Sequence, residues 1–103
     1  MYAFVYITTS GNEESKKIGN TLVEEKLAAC VNIIPSIESI YLWKGQIEND
    51  EESLLIAKTK IKTINKIIKR VKEIHSYDTP AILAIPIIEG SKDYLDYLDS
   101  EMS

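Results

Sequence analysis

The 103 residues contain one cysteine (Cys30), one histidine (His75) and one tryptophan (Trp43). A single thiol excludes a disulfide framework and fits a reducing compartment. Three prolines and four glycines are too few for a flexible linker, a collagen repeat or a low-complexity tract. With tyrosine counted as polar, no apolar run exceeds five residues, as in Ala81 to Ile85, so no segment reads as a membrane span. The opening residues, Met1-Tyr2-Ala3-Phe4-Val5, lack the basic start of a signal peptide, and the expected location is the cytoplasm. There is no Ser-His-Asp order, no phosphate-cradling glycine loop and no nucleotide fingerprint, so an enzyme is not expected. Twelve basic against sixteen acidic residues give a net charge of −4. An acidic chain without an aromatic-studded basic patch does not read as a nucleic-acid binder.

What is present is an ordinary globular balance, 45% hydrophobic and 27% charged, in a length that predicts a single domain over residues 1–103. Tyr2 to Thr9, aromatic and β-branched, predicts a buried strand. Ser10 and Glu13 have capping-box spacing, Asn12 is a second cap candidate, and the apolar side of Ile18, Gly19, Leu22, Val23 and Leu27 predicts a helix to about Ala29. Cys30 to Trp43 and Gln46 to Ile61 read as two long strands joined at Lys44-Gly45. Ile64, Ile67, Ile68, Val71 and Ile74 mark a helix over Lys62 to His75. Pro80 to Ile88 reads as a last strand, and Ser91 caps a final helix carrying Tyr94, Leu95 and Leu98.

This order, β-α-β-β-α-β plus a C-terminal helix, is the ferredoxin-like α+β arrangement. Two right-handed crossovers place the second and fourth strands at the sheet edges. Those strands carry Pro35 and Pro86, which edges tolerate. The fourteen residues from Cys30 to Trp43 would extend about 46 Å, too far for a domain with a radius of gyration near 13 Å. The hairpin must bend at Pro35 or project past its own core. Its tip bears Ile40, Tyr41, Leu42, Trp43 and Ile47, which one chain can hardly cover. Such a patch implies a homo-oligomer with Trp43 as an anchor; the alternative is a flap folded over its own sheet or a ligand.

Candidate chemistry is sparse. Cys30 reads either as a small buried hydrophobe or as a soft ligand for copper or zinc. His75 reads either as a helix-terminal residue facing the macrodipole or, with Tyr77 and Asp78, as part of a metal-ligating or proton-transferring group. A structural metal site needs about four ligands, so symmetry would have to supply the remainder. Glu48-Asn49-Asp50-Glu51-Glu52 could gather cations loosely or simply blunt an edge strand. Lys62, Lys66, Lys69 and Arg70 form an anion-binding face or a solvated helix exterior.

Several stretches resemble the CutA-type divalent-cation tolerance family. They are Leu27-Ala28-Ala29-Cys30-Val31-Asn32, Ser39-Ile40-Tyr41-Leu42-Trp43-Lys44-Gly45-Gln46-Ile47-Glu48, Glu52-Ser53-Leu54-Leu55 with Lys58-Thr59, and His75-Ser76-Tyr77-Asp78-Thr79-Pro80. The resemblance covers nearly the whole chain. It implies a ferredoxin-like homotrimer, similar in plan to the nitrogen-regulatory PII proteins, in which long hairpins pair between subunits. It also implies tolerance of copper or another divalent metal. Cys30, His75 and Asp78 are then the candidate ligands, and Tyr41, Trp43, Lys58 and Tyr77 line inter-subunit clefts or contacts. Where the family pattern reads His-Pro-Tyr-Glu-x-Pro-Glu, this chain has Ser76, Asp78 and Ala81 in place of the first Pro and the two Glu. The alternative function is a PII-like signalling or adaptor trimer that binds a small ligand or a partner protein. An enzyme using His75, Tyr77 and Asp78 ranks behind both.

Overall fold

Strand β1, Tyr2–Thr9, alternates in the way a half-covered strand must. Ala3, Val5, Ile7 and Thr9 are fully buried, whereas Tyr2, Phe4, Tyr6 and Thr8 face the other side. The computed structural model describes residues 1–103 and continues with α1 (Asn12–Glu24), β2 (Cys30–Trp43), β3 (Gln46–Lys60), a 3-10 turn (Ile61–Thr63), α2 (Ile64–Ile74), β4 (Ile82–Ile87) and α3 (Lys92–Met102). The sheet order is β2-β3-β1-β4 with every neighbouring pair antiparallel. This is the ferredoxin-like βαββαβ core with an added C-terminal helix, and β2 and β4 are the edges.

Helices α1 and α2 lie on one face of that sheet, and α3 lies against Tyr2, Lys58 and Lys60 on the other. Val5, Ile7, Leu55 and Ala57 from the strands meet Ile18 and Leu22 of α1 and Ile67 and Val71 of α2 in one core cluster. Gly19 allows the close approach of α1 to β2, since a Cβ there would lie 3.0 Å from Val31 Cγ2. The opposite face is largely open. Phe4, Leu83 and Ile85 are exposed on it, and the β1–β4 register places Phe4 beside Ile85 and Tyr6 beside Leu83.

Several boundaries differ from the sequence expectation, each for a local reason. Helix α1 stops at Glu24, short of Ala29, because Lys26 adopts φ 59°. Lys26 N–H donates to Val23 O (3.0 Å) and Leu27 N–H to Leu22 O (2.8 Å), a Schellman ending that turns the chain toward β2. At the other end of α1 neither Ser10 nor Asn12 caps the helix: Gly11 holds the cap position without a side-chain bond, and the Ser10 N–H donates instead to Glu14 (2.9 Å). Strand β3 ends at Lys60, α2 begins at Ile64, and His75 is an extended cap residue (ψ 145°) outside the helix. Strand β4 is only six residues long.

The hairpin both bends and projects. Its turn has Lys44 at φ 52° and Gly45 at φ 80°, the type I′ pair that suits the strand twist. The β2–β3 register slips between Ile34 and Ile37, where Pro35 and Ser36 oppose the single Ser53 as a bulge. Beyond it no residue up to Glu52 is buried, and the molecule extends 45 × 25 × 22 Å.

Lys26 occupies a left-handed conformation that disfavours a Cβ by about 1 kcal/mol. Lys26→Gly is expected to raise the unfolding free energy by roughly that amount in urea titrations, and a decrease would contradict the role given to this turn.

Candidate functional site

The polar side chains that sequence reading scattered along the chain gather where the hairpin leaves the core. Extended backbone at His75 turns its ring inward, where the side chain has no exposed surface. Nε2 lies 2.8 Å from Thr8 O, and Nδ1 accepts the Tyr77 N–H at 3.0 Å. These partners assign the tautomer with hydrogen on Nε2, and both ring nitrogens are then satisfied. The Tyr77 ring packs against the imidazole with centroids 4.7 Å apart. Its hydroxyl donates to Glu52 Oε2 at 2.8 Å. Burial raises the Tyr77 phenol above its ordinary value, and the hydrogen bond to Glu52 adds to the rise.

Glu14 closes the group from α1. Its carboxylate accepts the Ser76 N–H (2.7 Å), the Ser76 hydroxyl (2.9 Å), and the Ser10 N–H and hydroxyl (2.9 Å each). Oε2 also lies 3.7 Å from His75 Nδ1. Burial pushes this carboxyl upward, but the four donated hydrogen bonds outweigh it and hold the pKa at about 2. Beneath it lies a wholly buried hydroxyl chain. Thr9 Oγ1 and Ser15 Oγ are 2.7 Å apart, Ser15 donates to Ser53 (2.8 Å), and Ser53 donates to Ile34 O (3.1 Å) across the bulge.

The expected trio of His75, Tyr77 and Asp78 is thus corrected at one member. His75 and Tyr77 meet, but Asp78 is exposed and forms no hydrogen bond or ion pair with either ring. Glu52 and Glu14 supply the carboxylates instead. Sequence reading missed both, since Glu52 sat in an acidic run and Glu14 in an exposed-looking first turn. The one local signal, the capping-box spacing of Ser10 and Glu13, pointed to the neighbouring carboxylate instead.

Cys30, His75 and Asp78 do not form a metal site within one chain. Cys30 pairs with Lys58, while Thr8, which holds His75, lies opposite Leu54. Four residues of β3 separate these positions by roughly 13 Å. No group of three or more His, Cys, Asp or Glu side chains is placed to hold an ion. Cys30 is half-buried, with only a weak contact from Sγ to Val31 O at 3.9 Å. The remaining candidates lie elsewhere. Lys58 Nζ sits 5.2 Å above the Tyr94 ring of α3. Trp43 is exposed at the hairpin tip, and Tyr41 donates to Asp50 on the facing strand, which raises its phenol to about 12.

A family model described as "CutA1 divalent ion tolerance protein" matches residues 3–101. The chain is 47% identical over 98 residues to the divalent-cation tolerance protein CutA of Thermus thermophilus, covering 95% of each. It is 47% identical over 94 residues to the chloroplastic protein CutA of Arabidopsis thaliana, covering 91% of this chain but only 52% of that protein, about half its length. A solved structure from Archaeoglobus fulgidus, described as a periplasmic divalent cation tolerance protein CutA, matches with TM-score 0.97 at 44% identity over 100% of both chains. These names place relatives in more than one compartment. No helix of this chain is long and apolar enough to cross a membrane.

The Glu14 carboxyl titrates at about 2 in the fold against an ordinary 4.5. A depressed folded pKa stabilises the fold above the ordinary value, and that contribution is lost as pH falls from 4.5 toward 2. The shift corresponds to roughly 3 kcal/mol at neutral pH. Glu14→Gln is expected to be less stable than the parent at pH 7 and to converge with it near pH 2, as read by urea melts across that range. A gap that stays constant with pH would contradict this assignment.

Proposed function

This chain belongs to the CutA1 divalent ion tolerance protein family, and from that premise we propose that it acts in divalent-cation tolerance as a metal-binding homotrimer. Family membership supports the tolerance role. Association rests on one physical observation, the apolar surface that a single chain leaves uncovered, and the number three on the family resemblance.

Ile40, Leu42, Trp43 and Ile47 on the hairpin are 67%, 74%, 56% and 75% exposed. The accessible surface of 6673 Å² exceeds the roughly 5,900 Å² normal for this mass. The excess, about 800 Å², reflects the projecting hairpin and is comparable with one partner's share of an ordinary stable interface. Burying it would bring the hairpin and the open sheet face into a core shared by residues 1–103 of each subunit. Trp43 and Tyr41 serve as hairpin anchors in this reading, and Lys58 with Tyr94 borders the shared face.

Metal binding then depends on the assembly. One chain does not assemble a ligand set, so the donors of different subunits must combine, with exposed Asp78 and half-buried Cys30 the accessible ones. His75 joins them only by releasing Thr8 O or the Tyr77 N–H.

Calorimetric titration of the assembled protein with Cu(II) or Zn(II) tests this reading. Saturable binding that weakens at least about tenfold in Cys30→Ala or Asp78→Ala is expected, as for loss of a ligand. Identical isotherms for the parent and both variants would remove those residues from the site. Absence of any binding would leave the PII-like adaptor reading in its place.

A further inference from the structure

The loop that follows α2 grips the hairpin at one particular residue. In the β2–β3 register, Glu52 pairs with Ile37 and is thus the first β3 residue beyond the bulge. A bulge interrupts the ladder and bends the strand, so the segment beyond it depends on other contacts for its direction. The arm from Ile37 to Glu52 has few of its own. None of its residues is buried, and Glu38 faces Glu51 directly across the ladder, a like-charge pairing that weakens it.

We propose that residues 75–77 form a clamp that sets the direction of the hairpin arm, with Tyr77 as its positioning residue acting through Glu52. Two anchors hold the clamp to the body of the fold, and a third contact stiffens it internally. His75 is fixed to the end of β1 through Thr8 O, and Ser76 is fixed to α1 through two hydrogen bonds to Glu14. The Tyr77 backbone N–H is fixed to His75 Nδ1 while its ring lies against the imidazole. A tyrosine held at both backbone and ring presents its hydroxyl at a defined point, and there it meets Glu52 at 2.8 Å. On the near side of the bulge, the buried chain from Ser15 through Ser53 to Ile34 O holds the other rim. The pivot is therefore fixed on both sides, on one by buried hydroxyls and on the other by the phenol–carboxylate contact, beside an exposed bond from Ser36 Oγ in the bulge to Glu51 Oε2 at 2.9 Å. The clamp operates whether or not the arm engages other subunits, so the inference stands apart from the trimer and from metal binding.

Tyr77→Phe removes the hydroxyl and leaves the ring, the backbone N–H and the His75 contact in place. Glu52→Ala removes the acceptor. Amide hydrogen exchange read by mass spectrometry on the assembled protein distinguishes a clamp from general stabilisation. The clamp predicts that amides of residues 37–51 exchange about tenfold faster in either variant, the effect of losing one charge-assisted hydrogen bond, with α1 and β1 unchanged. It also predicts that the double variant exchanges no faster than either single one, because both remove the same contact. Unchanged arm exchange, an equal acceleration throughout the chain, or additive effects in the double variant would each overturn the proposal. Should Tyr77→Phe fail to fold, the Glu52→Ala comparison of arm against core decides alone.

Discussion

A four-stranded sheet has two faces; α1 and α2 cover one, while α3 meets the other only along Tyr2, Lys58 and Lys60. Alternation along β1 fixes the consequence, because Ala3, Val5 and Ile7 go inward while Phe4 and Tyr6 must point the other way. The same alternation leaves Leu83 and Ile85 beside them on an open surface. The hairpin compounds this by carrying apolar side chains beyond the reach of either helix. With only 18 of 103 residues buried, the isolated chain has too small a core to leave that much apolar area in water without cost. A subunit with a sheet face so sparsely covered is suited to sharing a core.

The polar cluster at the hairpin base has a different logic. A carboxylate taken out of water is costly unless donors replace the lost hydration. Glu14 receives four donors from Ser10 and Ser76, and its ionised form is favoured despite burial. The buried histidine is likewise satisfied at both nitrogens, and no buried side-chain polar atom lacks a partner. Such networks specify one arrangement, because a half-broken version would leave buried groups unpaired. Here that specificity sits where the chain must define how a projecting arm leaves the body.

Much of the fold was legible in the residues because its signals are periodic or local. The apolar spacing of Ile64, Ile67 and Val71, the alternation in β1 and the Lys44-Gly45 turn each report on their own neighbours. Pro35 and Pro86 marked the edge strands correctly. The early end of α1 was not legible, since a left-handed lysine leaves no compositional trace where glycine would have. The site was only half legible. His75 and Tyr77 stood out as chemistry-bearing neighbours, but the carboxylates come from far along the chain, Glu14 bonding the intervening Ser76 from 62 residues away and Glu52 bonding Tyr77 from 25. Asp78 looked like the partner by adjacency alone, and the extended backbone at His75 separates its role from theirs. The placement of Cys30 four strand positions from the His75 anchor is a matter of register, which no local motif encodes.

In the proposed trimer, three chains share one core. Light scattering coupled to size-exclusion chromatography, run at micromolar concentration and neutral pH, measures the solution mass directly. A trimer gives three times the 11.7 kDa subunit and a fall in mass when Trp43 and Leu42 are both replaced by serine. A parent protein running at 11.7 kDa with its hairpin still projecting would contradict it.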